Sequence, residues 1–177
     1  MNFSDAILVA LIAVLGVIIG GSINVASTFY LEGKKQKAHS RRLALAFQGE
    51  IGALLKIIQR RRYLETFQWF IEEMERTGNK YSFDLRVRRE YFLVFKNNVG
   101  DIGLLACPLP ALIAQFYVQA NSVLEDIENH RDGTLANVGV SDLIESVKEM
   151  RALLHETVEL GETIIKETLL LYPSQKR

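Results

Sequence analysis

The chain opens on an apolar run and then changes period. From Ala6 to Leu31 no side chain is ionisable, and the stretch AILVALIAVLGVII is almost wholly aliphatic. As a helix at about 1.5 Å per residue this run reaches about 39 Å, more than the roughly 30 Å hydrocarbon layer of a bilayer, so it predicts a transmembrane helix over residues 6–31. Phe3 before it and Phe29 with Tyr30 at its far end lie where an aromatic belt belongs. Beyond residue 42 the apolar positions recur at spacings of three and four. Phe47, Ile51, Leu54 and Ile58 form one helical stripe, and Leu64, Phe67, Ile71 and Met74 continue it after a slip near Arg60 to Arg62 that requires a bend or a change of buried face. Gly78 and Asn79 both tolerate the left-handed conformation that ends helices.

Residues 84–98, DLRVRREYFLVFKNN, predict a shorter helix. The core YFLVF would also suit a strand, but no other segment offers a partner of comparable quality. Gly100, Gly103, Pro108 and Pro110 then break the pattern, and a new helix starts with a proline in its first turn and Leu112, Phe116, Val123, Leu124 and Ile127 on its apolar face. Although Ile102 to Leu124 carries no charge, Gln115, Gln119, Asn121 and Ser122 interrupt it, which favours a soluble helix over a second span. After the polar loop NHRDGTLANVGV, the last helix is expected to begin at Ser141 or Asp142, with Asp142 and Glu145 resembling a capping box. Val147, Met150, Leu154, Val158, Gly161 and Ile165 follow at the seam spacing of antiparallel bundle packing, and Pro173 ends the helix. The fold class expected is all-α: an N-terminal transmembrane helix followed by a cytoplasmic antiparallel helical bundle. Its parts are a short extracytoplasmic N-terminus (1–5), the span (6–31), a basic juxtamembrane segment (32–42), the bundle (43–172) and a tail (173–177).

Charge sets the orientation. Lys34, Lys35, Lys37, Arg41 and Arg42 follow the span closely, whereas MNFSD before it carries no cationic side chain. A cleaved secretory signal would show the reverse order, and positive residues beside a span favour the cytoplasmic side. The reading is an uncleaved single-pass anchor in a bacterial inner membrane, with the N-terminus outside. The same cluster lacks the interleaved aromatics of a nucleic-acid arm, so the lipid bilayer is its expected partner and nucleic acid is not. Across the whole chain, residues 1–100 hold 15 Lys/Arg against 9 Asp/Glu, and the remainder 6 against 12. Oppositely charged helices facing each other in one bundle would account for that asymmetry. Arg60, Arg61 and Arg62 either bind a partner or pair with nearby carboxylates such as Glu65.

Within the span, Ala13, Gly16, Gly20, Asn24 and Ser27 fall on one small or polar stripe that includes a GxxxG step. Such a stripe lets a second helix approach closely, which points to a homo-oligomer; the alternative is that Asn24 reaches interfacial water.

Catalytic chemistry finds no support in the residue pattern. His39, His130 and His155 are scattered, and in HETVE Glu159 stands where a zincin needs its second histidine. No Glu-x-x-His pair supports a di-iron site, so neither a metal nor a cofactor is expected. Glu145, Glu149, Glu156 and Glu159 form an acidic, solvated face on the last helix. The single Cys107 excludes an internal disulfide and has no adjacent base to activate it. Trp69 and the segment Tyr91 to Phe95 are assigned to the core or, failing that, to a partner surface.

The stretches ALLKIIQRRRYLE and VGDIGLLACPLPALIAQFY resemble membrane-anchored helical proteins of bacterial and prophage type. That resemblance implies an inner-membrane location and carries no activity or functional residue. The expectation is thus a membrane-anchored scaffold or adaptor, not an enzyme, acting through self-association and contacts with a cytosolic protein partner. The alternative is an oligomeric pore or permeabilising effector gated by its cytoplasmic helices, for which Asn24 and Ser27 are the supporting residues.

Overall fold

The computed structural model describes the backbone at residues 3–81, 91–131 and 137–173, and side chains within those ranges from residue 27 onward. Every regular element among the described residues is helical. The described residues form five α-helices, α1 (Phe3–Arg61), α2 (Tyr63–Thr77), α3 (Leu93–Asn98), α4 (Leu109–Arg131) and α5 (Val140–Leu171), with a 3-10 segment, Val99–Leu104, between α3 and α4. The chain divides into two compact units, Met1–Ser40 and Arg41–Arg177.

In the first unit Phe29, Tyr30 and Leu31 are exposed, and the Lys34 ammonium lies 4.5 Å from the centre of the Tyr30 ring, a cation–π contact. Ser27, Lys34, Lys35 and Lys37 are exposed as well. Among the described residues no helix is long and apolar enough to cross a membrane. Most of the span expected over 6–31, including Ala13, Gly16, Gly20 and Asn24, lies outside the residues whose side chains are described.

The second unit packs three helical rods. One is the part of α1 from Arg41 continued, after a break, by α2; the others are α4 and α5. Both ends fix α5 antiparallel to the first rod: the Arg41 guanidinium donates to the Pro173 carbonyl at 2.6 Å, and Lys148 Nζ meets Glu75 at 3.0 Å. α5 is antiparallel to α4 as well, because the Ala106 N–H donates to the Tyr172 hydroxyl at 2.9 Å while His130 meets Ser146 at the opposite end.

The break reflects a phase error in the apolar pattern. Phe47, Ile51 and Leu54 are buried and Ile58 half-buried, after which the next buried position is Tyr63, one residue later than a continuous stripe allows. Arg62 absorbs the extra residue by leaving the helix at φ 53° and ψ 43°, a left-handed conformation costing roughly 1–2 kcal/mol for a residue with a Cβ. α2 then buries Tyr63, Phe67, Ile71 and Met74 and stops at Gly78, whose φ of 67° suits glycine. The core falls into two clusters accordingly. α1 contributes Phe47 and Ile51 to one with Leu109, Ile113, Phe116 and Ile164, and α2 contributes Phe67 and Met74 to the other with Val147 and Met150.

Three expectations are revised here. α5 starts at Val140 with Gly139 as its N-cap and no side-chain cap, so Asp142 lies inside the first turn and forms no capping box. Its buried positions, Leu143, Val147, Met150, Leu154, Thr157, Gly161, Ile164 and Thr168, alternate four and three without a slip. Val158 and Ile165 are therefore only half-buried, and two threonines take the seam positions expected of aliphatic residues. Thr157 is accommodated because its hydroxyl donates to the Leu153 carbonyl at 2.7 Å. Trp69 is half-exposed and leans on Phe70 and Tyr81, with ring centres 5.0 and 6.1 Å away, because α2 turns its opposite face to α5. Of the segment Tyr91 to Phe95, Phe92 is buried and Leu93 exposed; Leu93–Asn98 is helix and not strand.

Candidate functional site

The helix break gathers most of the distinctive chemistry of the second unit. Arg61 donates from Nη1 to the Tyr63 hydroxyl at 2.9 Å, and the Tyr63 and Tyr91 hydroxyls hold its guanidinium above the usual arginine range. Arg62 Nε lies 3.8 Å from Glu65, with both side chains largely exposed, so that pair is weak. Arg60 is exposed and lines an open groove on α1 with Lys56, Ile57 and Gln59. Beneath the break is an apolar cavity of about 60 Å³, walled by side chains that include Ile58, Tyr63, Tyr91, Phe92, Leu154 and Thr157. It joins no nucleophile to a base.

One turn-rich corner is held by a single carboxylate. Glu50, on α1, accepts the backbone N–H of Val94 at 2.6 Å and that of Phe95 at 3.2 Å, together with the Tyr117 hydroxyl. It thus satisfies donors left open at the start of the short helix α3 and ties α1, α3 and α4 together. The Tyr117 ring stacks on Phe95 at 4.1 Å and meets Phe92 and Phe116 edge-on. Burial, and then the hydrogen bond to Glu50, push the Tyr117 phenol up, so it stays a neutral donor. This is a brace, not an acid–base pair, because the hydroxyl and carboxylate are occupied by each other and by backbone.

Glu50, Tyr117 and His130 do not stand out as site residues in the sequence. Glu50 and Tyr117 each neighbour a buried stripe residue, Ile51 and Phe116, which is the signal that could have flagged them. His130 is buried and near Ser146 Oγ at 3.3 Å; burial lowers its pKa, which keeps the imidazole neutral. His155 is exposed, with Nδ1 3.8 Å from Glu159. Burial, with Glu125 and Glu149 nearby, pushes the Asp126 carboxyl up. Among the described residues no group of histidine, cysteine and carboxylate side chains converges to hold a metal ion. Cys107 is exposed.

Lys34, Lys35 and Lys37 are exposed, with Arg41 half-buried beside Pro173 and Arg42 exposed. Arg60, Arg61 and Arg62 follow one another at the break, and Lys148 pairs with Glu75 between α5 and α2. No protein-family model, no curated protein and no solved structure matches the chain.

Proposed function

We propose that this protein is a membrane-anchored helical scaffold that works by self-association and by contacts with a cytosolic protein, with its N-terminus outside and its bundle in the cytoplasm of a bacterial cell. The observation that carries this reading is the uncharged run from Ala6 to Leu31 followed at once by Lys34, Lys35, Lys37, Arg41 and Arg42. Ala13, Gly16, Gly20, Asn24 and Ser27 supply a face along which anchors associate. An all-helical second unit whose clustered cations lie on its surface supports a role in recognition.

The test is crosslinking of the full chain in intact membranes, followed by mass spectrometry of the captured species. A ladder of homo-oligomers that collapses when Gly16 and Gly20 are changed to Leu supports anchor-driven assembly. Recovery of the chain from the soluble fraction, or an unchanged ladder in the double variant, refutes the corresponding part.

A further inference from the structure

The structure places two exposed, oppositely charged surfaces of the second unit at the same level. Lys56 and Arg60 lie on an exposed face of α1, in a groove lined, among the described residues, by Ile57 and Gln59 and by no carboxylate. On α5, Glu156 and Glu159 are exposed, and the neighbour described for Glu159 is His155 at 3.8 Å on the same helix. The levels follow from the packing between these helices. Ile57 and Ile58 of α1 share the walls of the apolar cavity with Leu154 and Thr157 of α5, and Ile58 and Gln59 line a second groove with Val158 and Glu162. Arg60 and the Glu156–Glu159 pair therefore lie within about one helical turn, roughly 5.4 Å, of a common height along the bundle.

We infer that the occupant of the Lys56–Arg60 surface is the Glu156–Glu159 surface of a second copy of this chain. This rests on the self-association proposed above. A second copy of the bundle set parallel to the first brings its acidic face to the level of the first copy's basic face without any change in the fold. The contact is heterologous: each copy offers one basic face and one acidic face, so a third copy can join and the assembly closes into a ring or extends as a row. An isologous pairing through either face would set like charges against each other, which disfavours it. Because both faces are solvated, the contact weakens as added salt shortens the Debye length from about 10 Å at 0.1 M to about 3 Å at 1 M.

The experiment uses the full chain in membranes, with Cys107→Ser as background because that thiol is exposed. Two differently tagged copies are co-expressed, one carrying Arg60→Cys and the other Glu159→Cys, and a short thiol crosslinker is added. A crosslink joining the two tags is expected. With Lys56→Glu and Arg60→Glu in every copy, lysine-directed crosslinking of the second units falls about tenfold, and co-expression with a copy carrying Glu156→Arg and Glu159→Arg restores it. Restoration by opposite reversal is an outcome that misfolding cannot imitate. If the copies still crosslink through their anchors but the 60–159 pair fails and reversal changes nothing, this interface is wrong and self-association stands. If no oligomer forms at all, both readings fall.

Discussion

Among the described glycines Gly161 leaves the least room for a side chain, and replacing it with alanine puts two opposed effects in competition. A Cβ built there lies 2.9 Å from Phe116 Cε2, 3.0 Å from Leu55 Cδ2 and 3.2 Å from Ile51 Cγ2. All three are closer than ordinary van der Waals contact, and they come from α1 and α4, so α5 cannot move away from one without pressing on another. In a helix interior Gly→Ala is worth about 1 kcal/mol of propensity. Overpacking a filled core costs typically 1–3 kcal/mol. Since the obstructing atoms are a ring edge and two methyl groups, the Ala variant is expected near the middle of that range, for a net loss of about 1 kcal/mol. Gly49 is the internal control: it lies in a helix interior too, is exposed, and has nothing within 4 Å of the place a Cβ would take. Gly49→Ala should therefore stabilise by up to about 1 kcal/mol. The two variants should differ by about 2 kcal/mol, or roughly 4–8 °C in Tm for a chain of this size. Thermal and denaturant unfolding of the detergent-solubilised chain, followed by helical circular dichroism, measures the difference. A Gly161→Ala variant as stabilised as Gly49→Ala would refute the close approach of α5 to α1 and α4.

Further outcomes follow from the brace and the buried polar groups. Glu50→Gln should destabilise by about 2 kcal/mol, because a neutral amide cannot accept from both backbone N–H groups and the phenol as a carboxylate does. Tyr117→Phe should cost about 1 kcal/mol, and the double variant less than the sum; strict additivity in denaturant titrations would show that the two do not act as one network. Thr168→Val should be neutral or stabilising by about 1 kcal/mol, since the Thr168 hydroxyl is buried with no hydrogen-bond partner; a loss of stability would mean that it has one. His130 is held neutral by burial, so its folded pKa lies below its unfolded value of about 6.5. Its contribution is present above that unfolded value and is lost as pH falls through it toward the folded one, so stability should drop as pH falls below about 6.5. His130→Gln should flatten that drop, and an unchanged pH profile would refute the assignment.

The helical class and the placing of most helices were legible in the sequence because period-3.6 patterning is strong in α1, α2 and α5. The slip at Arg60 to Arg62, the stop at Gly78 and the proline in the first turn of α4 all mark real boundaries. What escaped was set by tertiary partners. Thr157 and Thr168 look like surface residues until strict alternation along α5 carries them inward. Trp69 reads as core by size, yet it lies on the face of α2 turned from α5. Glu50 reads as a solvated charge, and its role depends on Val94 and Tyr117, which lie 44 and 67 positions away in sequence. No local pattern carries contacts of that separation.

The surface proposed for assembly has the same physical origin as the fold. Had the stripe Phe47, Ile51, Leu54 and Ile58 continued unbroken, the next positions on its face would have been Arg61, Arg62 and Glu65, and burying such groups without full pairing costs several kcal/mol per charge. A left-handed residue costs roughly 1–2 kcal/mol, so breaking the helix is the lesser penalty. The break resets the phase, sends Tyr63 and Phe67 inward and leaves the arginines in solvent. The cations therefore collect at one height because the apolar pattern on either side excludes them. A glycine at position 62 would adopt the same backbone at less cost, and the arginine in its place keeps a charge in solvent 3.8 Å from Glu65.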